Sequence, residues 1–389
     1  MTDADTEVRA ISARIAEGYN RVPYKPKGKG SPGLDPYLLF GIAGTYGDFA
    51  LRGDIDVLDL GCGSGGQLLR VGGLTTGRLV GVDISRVACN DAKRQCAPFG
   101  NRCTIHCSDL FDLDPASLGQ FDLIYLLGVY LVVPPAVQQR LIEVLTACLK
   151  PGGVAVISYY AGEVWRHMDA MRRAVDAAVD RRAPSSEQLK VARRCAQDLA
   201  RNAGKNPTLA RLVEHSLAGD DATFFHEMMG PVLAEVKAAE LEKALAPAGI
   251  HFLNWLQPGP FTSADPAARA AAADRFVQGG YLYGVFGRYD PAKPADWSNL
   301  SWITGLKRAG VSGYGIPVFQ DSNTGGRIEV TNSSTAAALD LLARGACPWI
   351  TIQQELAKLP AGLAYLAAVK RDFASYWHQG LLTPLEQAG

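Results

Sequence analysis

Hydrophobic and polar positions follow two alternating periods between residues 55 and 160. Short apolar runs that are typical of buried strands alternate with stretches in which apolar residues recur at helical spacing. The strand runs cover 55–60, 78–83, 102–107, 121–127 and 153–160. Strands that alternate with helices predict an α/β fold with a doubly wound, mainly parallel sheet, and ligands of such sheets bind beyond the carboxyl ends of the strands.

The pattern changes after residue 165 and divides the chain into four segments. Residues 1–165 carry the strand and helix alternation, and 166–235 have helical periodicity throughout. Residues 236–290 return to helix, turn and strand, which predicts that they close the same sheet. We expect 166–235 to be a helical insertion that covers the ligand face as a lid. Residues 291–389 are predicted to form a small, mainly helical, winged-helix-like domain.

Composition and charge exclude several classes of protein. The chain has 389 residues, with 39 Lys and Arg and 39 Asp and Glu, so its net charge is zero. A neutral total argues against a generally basic protein that binds nucleic acid or a membrane surface. The polar, acidic start shows no signal peptide, and the longest apolar run, 123–133, is too short to span a bilayer. We therefore expect a cytoplasmic protein without a nucleic-acid or membrane partner.

Charge is unevenly distributed along the chain. Residues 166–211 contain eleven basic and five acidic side chains, an excess of six positive charges (11 − 5). Two interpretations remain open at this point, a solvated helix face or a docking surface for an acidic partner.

Four of the eight cysteines lie close together in the sequence, at Cys89, Cys96, Cys103 and Cys107. The last two fall on a predicted strand, where alternate residues face opposite sides. We interpret all four as buried free thiols and expect no metal site.

The most informative motif is the sequence VLDLGCGSGG at residues 57–66. Glycines allow a backbone turn to approach a ligand without a Cβ clash. The motif also satisfies the dinucleotide pattern G-x-G-x-x-G, which leaves an NAD-dependent oxidoreductase as one alternative. Asp59, however, would repel a pyrophosphate and suits an amino group. Asp83 ends the second strand 24 residues later (83 − 59), where a carboxylate can bind both ribose hydroxyls.

This ordered set, completed by Asp109 after the third strand, resembles the class I S-adenosylmethionine (SAM) methyltransferases over residues 55–160. The resemblance implies SAM as the cofactor, with its methionine end at the glycine loop, its ribose at Asp83 and its adenine at Asp109 and Leu110. The predicted cofactor residues are Asp59, Gly61, Cys62, Gly63, Asp83, Ile84, Asp109, Leu110 and Leu127.

A narrower resemblance covers more of the chain. The phrases EGYNRVPY, FDLIYLLGVYLVVPP, ISYYAGEVW and FFHEMMGPV are similar to bacterial methyltransferases that carry a methyltransferase regulatory domain, some of which methylate protein lysines. That family usually has Ser-Tyr-Asn after the fifth strand, whereas this chain has Ser158, Tyr159 and Tyr160. This sequence difference lies where an acceptor would bind, so the identity of the acceptor is not inferred from the family.

Candidate acceptor residues are mostly tyrosines, because a tyrosine offers a cation both a π-face and a hydroxyl acceptor. Tyr130 follows the fourth strand, where acceptors meet the methyl group in this fold. With Tyr19, Tyr24 and His226 it forms the predicted catalytic set. The predicted acceptor pocket consists of Tyr159, Tyr160 and Trp165. Ordinary packing is the alternative for each aromatic residue.

The sequence thus favours a SAM-dependent methyltransferase that methylates a protein or peptide amine, such as lysine. A natural-product small molecule, methylated on nitrogen or oxygen, is the alternative acceptor. A non-catalytic SAM-binding regulator whose last helices bind DNA is less favoured, since residues 331–389 carry four basic and four acidic side chains. Both a monomer and a homodimer remain open.

Overall fold

The computed structural model describes residues 3–24, 53–202, 206–255, 263, 265–276, 280–288, 297, 300–322, 325–360, 365–378 and 381–386. These residues fall into two compact units, the first built from described residues up to 288 and the second mainly from those that follow. No helix in the described part of the chain is long and apolar enough to cross a membrane.

The first unit contains a seven-stranded sheet with the strand order β3-β2-β1-β4-β5-β7-β6. Strand β1 is parallel to β2 and β4, β2 is parallel to β3, and β7 is antiparallel to β6. The strands are β1 Val57–Leu60, β2 Leu79–Asp83, β3 Cys103–Cys107, β4 Phe121–Leu126, β5 Leu149–Ala161, β6 His251–Trp255 and β7 Gly280–Gly287. The predicted doubly wound α/β fold is therefore confirmed.

Helices flank this sheet and cover its apolar strands. Leu58 and Leu60 of β1 are fully buried, as are most residues of β4, which explains why these strands read as continuous apolar runs. Ser85 accepts a hydrogen bond from the Ala88 N–H, as predicted for an N-cap. The helices are α1 Asp3–Arg21, α2 Gly66–Val71, α3 Arg86–Cys96, α4 Pro115–Leu118, α5 Pro135–Cys148, α6 Gly162–Ala178, α7 Ser185–Asn202, α8 Pro207–Ala218, α9 Asp221–Met229, α10 Ala238–Leu245 and α11 Pro266–Phe276.

Helices α6 to α9 form a layer between β5 and β6 in the chain order. Three arginines of this layer bind backbone carbonyls at helix ends. Arg172 donates to the carbonyls of Glu227 and Gly230, and Arg193 donates to those of Leu217 and Gly219. The third, Arg181, donates to the Met229 carbonyl. These arginines therefore tie the helices together, so the positive excess of this segment is in part structural.

The second unit has its own core, in which Trp302 and Trp349 pack near Phe373. Two three-stranded sheets have the orders β11-β10-β9 and β12-β8-β13. Most of these strands occupy residues 300–329, whose turn-rich sequence did not show a strand pattern. The elements are β8 Leu300–Thr304, β9 Leu306–Val311, β10 Pro317–Asp321, β11 Arg327–Glu329, α12 Ser333–Leu342, β12 Cys347–Pro348, α13 Trp349–Leu356, α14 Leu366–His378 and β13 Leu382–Glu386.

Candidate cofactor and acceptor site

The glycine loop between β1 and α2 has a backbone that glycine alone adopts without strain. Gly61, Gly63 and Gly65 have φ angles of 81°, 53° and 80°. A Cβ on Gly61 would lie 2.1 Å from Val129 Cγ2, so the chain passes that side chain too closely for any larger residue. A Cβ on Gly63 would meet nothing within 4 Å. At Gly63 the loop therefore presents its main chain, without a side chain, to open space.

That open space is a cavity of about 370 Å³. Small-molecule sites commonly have volumes of roughly 300–1,000 Å³. Every residue of the predicted cofactor set lines the cavity, and so do Tyr19 and Tyr24 from the predicted catalytic set. The cavity wall also contains Arg70 of α2, which no sequence motif identified as a cofactor residue.

One buried and one partly exposed carboxylate lie in the wall of this cavity. Asp83 accepts hydrogen bonds from the Gly63 N–H and the Ser85 N–H, each at 2.8 Å, and so joins the glycine loop to the end of β2. Asp59 is 3% exposed. Burial, reinforced by the negative charge of Asp83, raises the pKa of Asp59 to about 7. Two carboxylates in such surroundings favour a ligand that brings a positive charge.

These features fit SAM. Its ammonium group would compensate the Asp59 carboxylate, and its ribose hydroxyls would donate to Asp83. Arg70 can neutralise the methionine carboxylate, while Ile84 and Leu110 offer apolar surface to the adenine. Within the described residues, no group of His, Cys, Asp and Glu side chains could hold a metal ion.

Asp109 also has a structural role at the end of the cavity that is predicted to bind the adenine. Its Oδ1 accepts a hydrogen bond from the Phe111 N–H at 2.9 Å and caps the short helical turn Leu110–Asp112. The cap fixes Leu110, whose side chain lines the cavity.

His226 is held in place by its neighbours. Its ring stacks on Tyr19 with 3.9 Å between centroids and an interplanar angle of 15°. Its Nε2 lies 2.7 Å from the Val22 carbonyl oxygen, which can only accept, so Nε2 carries the proton. Burial lowers the pKa of His226, so the ring is neutral near pH 7. These contacts support a role in positioning Tyr19, and the predicted catalytic role of His226 remains a prediction.

A cluster of tyrosines surrounds the Glu227 carboxylate. The Tyr160 hydroxyl donates to Glu227 Oε1 at 3.0 Å. Desolvation raises the pKa values of Tyr19 and Tyr24, and nearby negative charge that includes Glu227 adds to this effect. The ring of Tyr281 lies 4.9 Å from that of Tyr160, measured between centroids. We call these five residues, Tyr19, Tyr24, Tyr160, Glu227 and Tyr281, the acceptor cluster.

The acceptor cluster adjoins the cavity at two places. Tyr19 and Tyr24 belong to the cavity wall. The Tyr281 hydroxyl lies 2.7 Å from Ser158 Oγ, and that oxygen accepts a hydrogen bond from the N–H of Gly128, also in the wall, at 2.7 Å. A tyrosine and glutamate cluster is therefore placed next to the cofactor cavity.

Two residues of the predicted acceptor pocket lie elsewhere. Tyr159 is fully buried and its hydroxyl accepts a hydrogen bond from Trp255 Nε1 at 3.1 Å, because strand alternation turns it away from Ser158 and Tyr160. Trp165 of α6 packs against the core. The geometry therefore does not bring Tyr159 or Trp165 to the cavity.

Tyr130 is displaced by a local turn. It begins the short helical turn Tyr130–Val132, in which Val129 and Val132 line the cavity but Tyr130 does not. Burial and the charge of Glu240, a residue of α10, raise the pKa of Tyr130. The sequence pattern did not reveal this helical turn after β4. Because of the turn, valines line the cavity where the tyrosine was expected.

A family model described as a methyltransferase domain matches residues 57–153. This segment contains the glycine loop, Asp83 and Asp109. The match and the strand order confirm the predicted class I methyltransferase fold and SAM as the cofactor of this domain.

Two curated relatives come from Rickettsia prowazekii (strain Madrid E). The uncharacterized proteins RP028 and RP789 are each 32% identical to this chain, over 161 and 158 residues. Each match covers 40% of this chain, but only 62% of RP028 and 28% of RP789. The chain therefore spans less than two thirds of either relative.

Among solved structures, PKMT2 from Rickettsia typhi is similar in fold. It aligns with a TM-score of 0.57 at 20% identity, and its complex with AdoHcy aligns with a TM-score of 0.58 at 19% identity. Both alignments cover 94% of this chain and 77% of the other. At this identity the likeness shows a shared fold.

Proposed function

We propose that this chain, whose residues 57–153 form a SAM-dependent methyltransferase domain of class I, methylates an amine of a protein or peptide, with the lysine side chain as acceptor. The acceptor cluster carries this proposal. It places one carboxylate, Glu227, in a group with four tyrosines, of which Tyr160 donates to Glu227 and two others line the cofactor cavity. A carboxylate among aromatic faces is complementary to an ammonium group.

The cluster suits an amine better than a hydroxyl or a thiol. An alcohol acceptor offers no positive charge to the Glu227 carboxylate or to the tyrosine π-faces. The mono- and dimethylated forms of an amine, when protonated, keep that charge and gain apolar surface, so they also fit an aromatic site. The fold likeness to PKMT2, a protein lysine methyltransferase, is in keeping with this acceptor.

A second cavity gives room for an acceptor larger than a single side chain. Its volume is about 250 Å³, and it shares Ile15, Tyr19 and Val132 with the wall of the first cavity. Charged side chains, among them Arg14 and Glu17, lie in its wall. Such a wall suits the polar backbone and side chains that flank a lysine in a polypeptide.

When bound, SAM supplies a methyl group on a positively charged sulfur, which departs as a neutral thioether. Asp59 and Asp83 would hold the ammonium group and the ribose of the cofactor, in a cavity whose wall also contains Tyr19 and Tyr24. The acceptor ammonium, with an ordinary pKa of about 10.4, must lose a proton before it can attack. Transfer of that proton to Glu227 leaves two neutral groups, which a site shielded from water favours. Tyr160, which is buried and bonded to Glu227, contributes to that shielding.

Isotope-labelled SAM tests the proposal. A lysate of the source cells is incubated with enzyme and SAM carrying a labelled methyl group, and its protein and small-molecule fractions are analysed by mass spectrometry. We expect the label on lysine Nε in the protein fraction. The matched control is Asp83→Ala enzyme, which lacks a cofactor carboxylate and should transfer little label. Label confined to small molecules, or to oxygen atoms, would refute the proposed acceptor.

A further inference from the structure

Four cysteines form two facing pairs between helix α3 and strand β3. Cys89 and Cys96 are two helical turns apart, about 10 Å along the axis. Cys103 and Cys107 are four residues apart on one face of the strand, about 13 Å. The two spacings are similar. Cys89 Sγ lies 3.8 Å from the carbonyl oxygen of His106, the residue before Cys107. The Cys89 thiol interacts electrostatically with that of Cys107, and the Cys96 thiol with that of Cys103. All four are free thiols.

Both buried thiols also touch the backbone that shapes the cofactor cavity. Cys96 Sγ donates to the Gly65 carbonyl oxygen at 3.8 Å, and Cys89 Sγ donates to the Asp83 carbonyl oxygen at 3.4 Å. Cys107 is the neighbour of Asp83 in the register of β2 and β3. A change in either pair would therefore be transmitted directly to the residues that hold SAM.

The two members of each pair differ in accessibility. Cys96 and Cys89 are buried, whereas Cys103 is partly exposed and Cys107 is exposed. Interaction with Cys96, aided by the positive charge of the nearby Arg102, lowers the pKa of Cys103, while the same interaction and burial raise the pKa of Cys96. An accessible thiol beside a buried one is the arrangement of an oxidisable cysteine and its resolving partner.

We propose that Cys96–Cys103 and Cys89–Cys107 are oxidation sites at which a peroxide closes disulfides that weaken cofactor binding. At the first pair, the Cys103 thiolate attacks a peroxide oxygen and becomes a sulfenic acid, with hydroxide as leaving group. Cys96 then attacks the sulfenic sulfur, a disulfide forms and water departs. In sum, two thiols and hydrogen peroxide give one disulfide and two waters. The thiols lose two electrons, which reduce the peroxide.

The disulfide changes the cofactor loop in two ways. It removes the S–H proton that Cys96 donates to Gly65, and the equivalent reaction at Cys89 removes the proton donated to Asp83. It also draws two sulfurs from contact distance to a bond of about 2.05 Å, which moves α3 toward β3. This inference rests on the cofactor cavity and is independent of the identity of the acceptor.

Peptide mapping tests the chemistry. Trypsin cleavage after Arg86, Lys93, Arg94 and Arg102 places Cys89 in peptide 87–93, Cys96 in 95–102, and both strand cysteines in 103–140. After hydrogen peroxide treatment and alkylation, we expect disulfide-linked peptides 95–102 with 103–140, and 87–93 with 103–140. Cys103→Ser should remove only the first link and Cys107→Ser only the second. Cys195→Ser, which alters a partly exposed thiol on α7, should remove neither.

Calorimetry tests the consequence. We expect oxidised protein to bind AdoHcy about five-fold more weakly than reduced protein, the size expected from losing one or two weak hydrogen bonds. Reduction with dithiothreitol should restore the affinity, and the double variant Cys103→Ser/Cys107→Ser should show no response to peroxide. The absence of linked peptides would overturn the proposal, and so would unchanged AdoHcy affinity in protein whose disulfides have been verified.

Discussion

The cofactor cavity and the acceptor cluster are built in opposite ways. The groups that we assign to the methionine end and the ribose lie on two adjacent parallel strands and the loop between them, from Asp59 to Asp83. The acceptor cluster draws Tyr19 from α1, Tyr160 from β5, Glu227 from α9 and Tyr281 from β7. One site is a local feature of the chain, and the other exists only after distant elements have packed together.

This difference has a physical consequence. The cofactor cavity depends on backbone geometry, since a positive φ at Gly63 lets its N–H reach the Asp83 carboxylate. The acceptor cluster depends on side chains, whose substitution leaves that backbone intact. The two sites should therefore be separable by mutation, one affecting cofactor affinity and the other acceptor turnover.

Substitution at Asp83 should produce the largest effect. Asp83→Ala removes a carboxylate that organises the glycine loop and, in our assignment, accepts two ribose hydroxyls. Each hydrogen bond to a charged group contributes about 1.5–3 kcal/mol, so we expect AdoHcy affinity to fall about a hundred-fold in calorimetry. The control is Asp112→Ala, which removes a half-exposed carboxylate paired with Arg9. Equal affinities in the two variants would disprove the role of Asp83.

Substitution at Glu227 should act on the other site. Glu227→Gln keeps an oxygen that can accept from Tyr160 but removes the charge that we expect to bind the ammonium group. Loss of one charged hydrogen bond predicts a decrease of roughly thirty-fold in kcat/KM for the amine acceptor. AdoHcy affinity should change by less than about two-fold, because that hydrogen bond lies outside the cofactor cavity.

The matched control for Glu227→Gln is Glu214→Gln, which neutralises an exposed carboxylate on α8. Steady-state kinetics with the lysine acceptor would compare both variants with the wild type. If Glu227→Gln weakened AdoHcy binding and left acceptor kinetics unchanged, the proposed separation of the two sites would fail.

The same difference explains what could be predicted from sequence. Asp59, Gly63 and Asp83 could be placed together because parallel strands end at one edge of a sheet. The acceptor side could not, since Tyr159 and Tyr160 are adjacent in sequence but face opposite sides of β5. Tyr281 was predictable in part, because it alternates with Tyr283 in the segment 236–290, which was expected to contain strands.

The mildest expected effect concerns the proton on Asp59. Its pKa is raised to about 7 in the free protein, first by burial and then by Asp83. A bound ammonium group would stabilise the charged carboxylate and lower that pKa, so binding below pH 7 must release a proton. Affinity for AdoHcy should therefore fall as the pH falls, by about five-fold between pH 7 and pH 6.

The variant Asp59→Asn distinguishes titration of Asp59 from titration of Asp83, whose pKa is also raised by desolvation. The amide cannot ionise, so the variant should bind AdoHcy more weakly at pH 7 but with a nearly flat profile from pH 7 to pH 6. Calorimetry in two buffers of different ionisation enthalpy would count the released protons directly. A flat profile in the wild type would show that Asp59 does not bind the ammonium group. If AdoHcy affinity still fell between pH 7 and pH 6 in Asp59→Asn, the titrating group would be Asp83. Either result would change how charge is divided between the two carboxylates of the cofactor cavity, while leaving the acceptor cluster as a separate site.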